Sequence, residues 1–196
     1  MITTKKVGTR GRPRSFDAAR AVDVAQRLFA ERGYDGVGVA EIGRALGITP
    51  PSFYNAFGSK AALFDRVLDR YSATSFVPDL LAMEGDSSDA IERLLIEAAR
   101  RYATCGGIAG CLVLDGARNS QDAEAVALTA TRKAQSREMI AARIAQDRGG
   151  RADELSGVVM IALNGLSASA RDGASEAELS AFARAFTRAY RIEADG

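Results

Sequence analysis

The sequence predicts an all-α protein of about nine helices. Three observations carry that prediction. Apolar residues recur at spacings of three and four almost throughout, whereas alternating strand-like runs are scarce. Helix starts and stops are written as Ser, Thr or Asp before a periodic run and Gly after it. Finally, 47% hydrophobic and 26% charged residues in a chain of 196 are ordinary for a globular protein with a buried core.

The elements follow in order. Asp17 is placed to cap a helix running to Arg32, with Ala18, Val22, Ala25, Leu28 and Phe29 on one face and Gly33 as its stop. A short helix over Val39–Leu46 ends at Gly47. Thr49 is the N-cap of the next, Pro50–Phe57, with Pro50 at the first helical position, where a missing N–H costs nothing. Ser59 caps a longer helix whose inner face is Leu63, Phe64, Val67, Leu68 and Tyr71. Pro78 and the Gly85–Ser88 cluster read as a break. A helix over Asp89–Ala103 follows, then a glycine loop over 106–110 and a short apolar segment from Cys111 to about Arg118. The last three helices are Gln121–Gln146, Asp153–Arg171 and Ala177–Arg191, the final one opened by the capping-box pair Ser175 and Glu178.

Composition removes whole classes of chemistry. With no histidine, Ser-His-Asp and Cys-His catalysis, a His-ligated zinc site and a histidine pH switch are excluded. Two cysteines, Cys105 and Cys111, make no disulfide scaffold and only an incomplete metal site, so no metal and no cofactor is expected. As a pair flanking the glycine loop they admit a thiol redox switch or soft-metal reading. The plainer alternative is a small buried hydrophobe at Cys111 and a near-surface thiol at Cys105. Met1–Arg14 has no apolar core of the signal-peptide kind. The longest uncharged run, Leu155–Ala170, holds 16 residues and four polar ones, short of the roughly 20 apolar residues of a membrane span. A cytoplasmic protein is expected.

The formal net charge of +1 conceals a split. Residues 1–70 carry 12 basic and 7 acidic side chains, a balance of +5, whereas residues 71–196 carry 14 and 18, a balance of −4. Lys5, Lys6, Arg10, Arg12 and Arg14 all precede the first acidic residue. A basic head of this kind is either a nucleic-acid arm or a solvated tail.

Residues 39–57 decide between them. Two short helices joined by Gly47–Ile48–Thr49 have the layout of a helix-turn-helix, in which the second helix enters the major groove and the first braces it. Ile42, Leu46, Ile48 and Phe53 form its small core, and Pro50, Pro51, Ser52, Tyr54 and Asn55 face outward on the second helix. Asparagine pairs bidentately with adenine, while serine and tyrosine hydroxyls reach phosphates. Lys60 adds a cation at the start of the following helix, beside unpaired N–H groups that favour a phosphate. Arginines of an arm such as Arg10, Arg12 and Arg14 fit a narrow A/T-rich minor groove. The alternative is a helical hairpin with Tyr54 and Asn55 as surface polar residues.

Residues 16–71 resemble the N-terminal domain of the TetR family of transcriptional repressors. The matching positions include Ala25, Leu28, Phe29, Gly33, Tyr34, Val39, Ile42, Gly47, Ile48, Phe53, Tyr54, Phe57, Ser59, Lys60, Leu63 and Phe64. The resemblance implies a homodimer on a near-palindromic operator, released by a small molecule bound in the C-terminal domain, with Thr49, Ser52, Tyr54, Asn55 and Lys60 contacting DNA. Two departures stand out: Val37 and Gly38 occupy places where the family usually has hydroxyl residues, and Ala61 replaces an acidic residue after Ser59–Lys60. The implied division is a basic flexible arm over 1–14, a DNA-binding domain over 15–58, a connecting helix over 59–71 and a ligand-binding and dimerisation domain over 72–196.

In that last region the expected dimer interface is Val158, Val159, Leu163 and Leu166 with Leu179, Phe182, Phe186 and Tyr190, where Gly157, Ala162, Gly165 and Ala168 permit close approach. The expected ligand pocket draws on Met83, Tyr102, Leu114, Thr129, Met160 and Asn164. Two other function classes fit the sequence less well. An enzyme would have to use Asp115, Asp122 and Glu124, which no helical spacing gathers into a pair. A ligand-independent DNA binder would have no use for a body of roughly 125 residues.

Overall fold

The computed structural model describes residues 18–104 and 107–195. Among them stand eight helices of eight residues or more: α1 (Ala18–Arg32), α2 (Val39–Leu46), α3 (Pro50–Phe57), α4 (Lys60–Ala73), α6 (Ser87–Thr104), α8 (Ala123–Arg148), α9 (Ala152–Arg171) and α10 (Glu176–Asp195). Two short ones, α5 (Val77–Ala82) and α7 (Leu112–Asp115), complete the described set, with a 3-10 turn at Gly149–Arg151. The all-α expectation holds. Helix α5 stands where the sequence predicts a break at Pro78, because that proline lies in the first turn, where it displaces no helical hydrogen bond. Asp17, the expected cap of α1, lies outside the described residues.

The capping residues do what their chemistry suggests. Ser59 accepts from the amide of Ala62 at 2.9 Å, and Asp122 opens α8 by accepting from Glu124 and Ala125. Before α10 the box is reciprocal, with Ser175 N–H donating to Glu178 at 2.8 Å and Glu178 N–H to Ser175 at 3.3 Å. Each such cap contributes about 1 kcal/mol.

One continuous apolar core runs through the chain. At its N-terminal end Phe29, Tyr34 and Phe64 pack with ring centroids 5.0–5.8 Å apart, joining α1, the turn after it and α4. At the other end α6 lies between α9 and α10, and α8 packs on α9. The junction between these ends is polar and specific. Tyr34 N–H donates to the Gly116 carbonyl at 2.6 Å, and the Tyr34 hydroxyl donates to Asp122 at 2.7 Å. Burial and that carboxylate raise the Tyr34 phenol well above its usual range, so it stays protonated and donating. Asp35 accepts from Ser120 and Gln121.

Asp115 is the buried centre of the same junction. Its carboxylate accepts from Ser167, Arg118 and Arg171, and Arg171 also donates to the Ala30 carbonyl at the end of α1. Asp115 and Asp122, considered above as enzyme carboxylates, therefore serve as a buried ion-pair centre and a helix cap.

Candidate nucleic-acid interface

Helices α2 and α3 are joined by a turn that needs two glycines. Gly47 adopts φ +69°, the left-handed region that ends α2. Gly43 is buried one turn earlier, and a Cβ there would stand 2.9 Å from the Ile48 carbonyl oxygen. That close approach lets Ile48 N–H donate to Gly43 O at 2.9 Å, which fixes the angle between the helices. Gly43→Ala is expected to destabilise the protein by about 1–3 kcal/mol through this clash. Urea unfolding checks it, and an unchanged midpoint would contradict the assigned contact. Sequence reasoning missed Gly43, although a glycine inside a helical pattern is itself a signal of close packing.

Phe53 and Phe57 point inward from α3, with ring centroids 5.2 Å apart. That burial turns Pro50, Pro51, Ser52, Tyr54 and Asn55 outward together, with Tyr54 51% exposed. Thr49 caps α3, its hydroxyl 3.5 Å from the Ser52 amide and 3.0 Å from the Ser52 hydroxyl. The outward face is thus polar and aromatic, without acidic residues.

Lys60 differs from expectation. Its ammonium donates to the carbonyls of Tyr34 and Val37 at 3.1 and 3.2 Å and lies 3.8 Å over the Tyr34 ring. Two carbonyls ending a turn and a phenol face attract the cation inward. Lys60 is a clamp on the turn between α1 and α2 rather than an outstretched phosphate ligand. The two departures from the family pattern also find places: Val37 and Ala61 are buried in the core, and Gly38 caps α2 without a side-chain hydrogen bond. Arg10, Arg12 and Arg14 lie outside the described residues.

Residues 21–67 match the bacterial regulatory proteins of the tetR family. The chain is 40% identical over 185 residues to the HTH-type transcriptional repressor BdcR of Escherichia coli (strain K12), covering 93% of each chain. The chain belongs to the TetR family. A second relative, the HTH-type transcriptional repressor ComR of the same organism, is 28% identical over 179 residues, covering 85% of each. Among solved structures, a cysteine-substituted form of the TetR-family regulator CifR in complex with 26-bp double-strand operator DNA superposes with a TM-score of 0.81. It is 29% identical, over 91% of this chain and 99% of that one. The helix-turn-helix of this TetR-family regulator is therefore α2–α3.

The body holds a cavity of about 170 Å³ between α4, α5, α6, α8, α9 and the segment around α7. Tyr102, Leu114 and Met160 line it as expected. The other three expected pocket residues do not. Met83 is 49% exposed beyond the end of α5. Thr129 and Asn164 turn their polar groups onto their own helices, donating to Val126 O at 3.0 Å and Met160 O at 2.7 Å. Arg101, Arg132, Phe76 and Met139, which also line the cavity, were missed, because only the packing of α5 and α8 on α6 and α9 brings them there.

Cys111 lines the cavity as a buried thiol with the Tyr71 and Tyr102 hydroxyls beside it. Burial pushes its pKa up, opposite to what a reactive thiolate needs. Cys105 lies outside the described residues, and no group of three metal-ligating side chains occurs among the described ones. No helix among them is long and apolar enough to cross a membrane.

The expected dimer face divides in two. Val159, Leu163 and Leu166 of α9 and Leu179 and Tyr190 of α10 are buried inside the chain, with Leu163 on the cavity. They are core, because α9 packs against α6, α8 and α10 with most of its circumference. Val158, Ile161 and Gly165 of α9 and Phe182 of α10 face outward, with Ile161 74% exposed. Phe186 is half-buried between the rings of Phe182 and Tyr190, its centroid 5.9 and 6.1 Å from theirs.

Proposed function

We propose that the protein is a homodimeric repressor that leaves a near-palindromic operator when a small molecule fills the cavity of its body. The single observation that carries the reading is the outward face of α3, where packing of Phe53 and Phe57 presents Ser52, Tyr54 and Asn55 side by side. In this reading residues 15–58 read DNA, 59–71 transmit, and 72–196 bind the effector and dimerise. Thr49, Pro50, Ser52, Tyr54 and Asn55 meet the major groove, and Arg10, Arg12 and Arg14 the adjacent minor groove. No catalytic step is needed, and the protein works in the cytoplasm where its DNA lies.

The dimer is proposed to form through α9 and α10 as a two-fold four-helix bundle, using Val158, Ile161, Phe182 and the exposed edge of Phe186. An apolar strip of that kind beside two small residues, Gly157 and Gly165, supports close packing of a second copy. Two recognition helices must then stand roughly 34–36 Å apart, or a multiple of it, to enter successive major grooves. A ligand that binds better at another separation lowers operator affinity by shifting the population.

Selection of bound sequences from a random DNA pool tests this reading, and a palindrome with half-sites one turn apart is the expected product. On that operator, Tyr54→Ala is expected to weaken binding about tenfold or more while leaving helicity and mass unchanged. Recovery of no enriched sequence, or full affinity in the variant, would sink the proposal.

A further inference from the structure

The cavity is lined unevenly. Phe76, Tyr102, Met139 and Met160 form apolar walls; two arginines line it as well, Arg101, which is ion-paired to Glu97, and Arg132, and no carboxylate does. Its volume is close to that of an engineered cavity of about 150 Å³ that admits benzene. The site therefore suits a molecule the size of one ring with an anionic, hydrogen-bond-accepting end.

Arg132 sits where that end would have consequences. From α8 its Nη2 donates to Asp65 at 2.5 Å and to Asp69 at 2.6 Å, both on α4. Its Nη1 makes only a 3.4 Å contact to the Leu128 carbonyl of its own helix. So the planar fork, which suits bidentate carboxylate recognition, is not filled by α4. The two aspartates are four residues apart on one helix face, where like charges repel, and Arg132 is what offsets that repulsion. Their carboxylates are also 41% and 68% exposed, so each ion pair is weak. A carboxylate enclosed in the cavity is costly unless paired, and its attraction to Arg132 is stronger for being desolvated.

We propose that the effector is a small ring-bearing carboxylate that draws Arg132 away from Asp65 and Asp69, and that this exchange is how ligand binding reaches α4. The inference rests on the effector-released repressor reading above. Losing Arg132 returns the repulsion between the two aspartates to α4, the helix whose Arg70 is ion-paired to Asp23 of α1 and whose packing fixes the DNA-binding helices. Ligand affinity and operator affinity are then opposed through one guanidinium, and by linkage each weakens the other by the same factor.

The probes are benzoate, phenylacetate and cyclohexanecarboxylate against their primary amides, which keep the shape and lose the charge. Binding to the full-length protein is measured by calorimetry, and release of the selected operator by fluorescence anisotropy. At least one carboxylate is expected to bind once per chain and release DNA, with its amide about tenfold weaker or worse. The Asp65→Asn, Asp69→Asn double variant, altered only at exposed side chains, is expected to bind that carboxylate about fivefold tighter or more. Arg132→Gln is expected to lose the preference for acid over amide, and Arg132→Lys to keep part of it. Equal binding of acids and amides, no binding by any of the three acids, or unchanged affinity in the double variant would each overturn the proposal. An operator that is bound but answers to no carboxylate removes this inference and leaves the repressor reading standing. If selection recovers no operator, it is the repressor reading that fails.

Discussion

Ile161→Asp is expected to leave the protein folded but with the mass of one chain, and to reduce operator affinity at least about a hundredfold. Ile161 is the most exposed large apolar residue of α9, in the strip with Val158 and Phe182. A two-fold axis along that strip brings each Ile161 near its own copy, so the substitution sets two like charges together in an apolar contact. Operator affinity follows because two half-site contacts on one rigid body reinforce each other by roughly two to four orders of magnitude, and a monomer loses that gain. Light scattering at micromolar concentration checks the mass, and circular dichroism the fold. Met83→Asp, the same apolar-to-charged change at an exposed residue outside the strip, is expected to remain dimeric. A dimeric Ile161→Asp protein would place the interface elsewhere.

Asp115→Ala is expected to be the most destabilising single change at the junction, costing about 3–5 kcal/mol. The carboxylate accepts from Ser167, Arg118 and Arg171 while its side chain is 3% exposed. Alanine would leave the partly buried Arg171 cation with only the Ala30 carbonyl and no counter-charge, and the Ser167 hydroxyl without its acceptor. Asp115→Asn keeps the shape and one acceptor oxygen, so it should lose less. At about 2–4 °C per kcal/mol for a chain of this size, the alanine variant should melt roughly 10 °C lower. Thermal and urea unfolding at one fixed protein concentration check this, since dimer stability depends on concentration. A loss within about 0.5 kcal/mol of zero would mean the buried centre contributes nothing net.

The fold was legible wherever the signal is local. Ser59, Thr49 and the Ser175–Glu178 box are caps whose partners lie within three residues, and each is used. The outward face of α3 was legible for the same reason, since Phe53 and Phe57 mark its inside and leave Ser52, Tyr54 and Asn55 outward. What failed was long-range. Val159 and Val158 are adjacent and chemically alike, and only the placement of α6, α8 and α10 around α9 tells core from surface. Nothing local distinguishes Arg132 from the other arginines of α8, because Asp65 and Asp69 reach it from α4, more than sixty residues away. Lys60 carried the expected charge, but the carbonyls of Tyr34 and Val37 claimed it.

The seam at Tyr34 sets what the DNA-reading head can do. The head is fastened to the body through the continuous helix α4 and across one seam, where Tyr34 and Asp35 bond Gly116, Ser120, Gln121 and Asp122 and Arg171 bonds the Ala30 carbonyl. A body held at one point tumbles in every direction, whereas a body held at two can only turn about the line that joins them. A push on α4 is therefore expected to turn the head about that line. In the proposed docking, the direction of that turn sets how squarely α3 enters its groove.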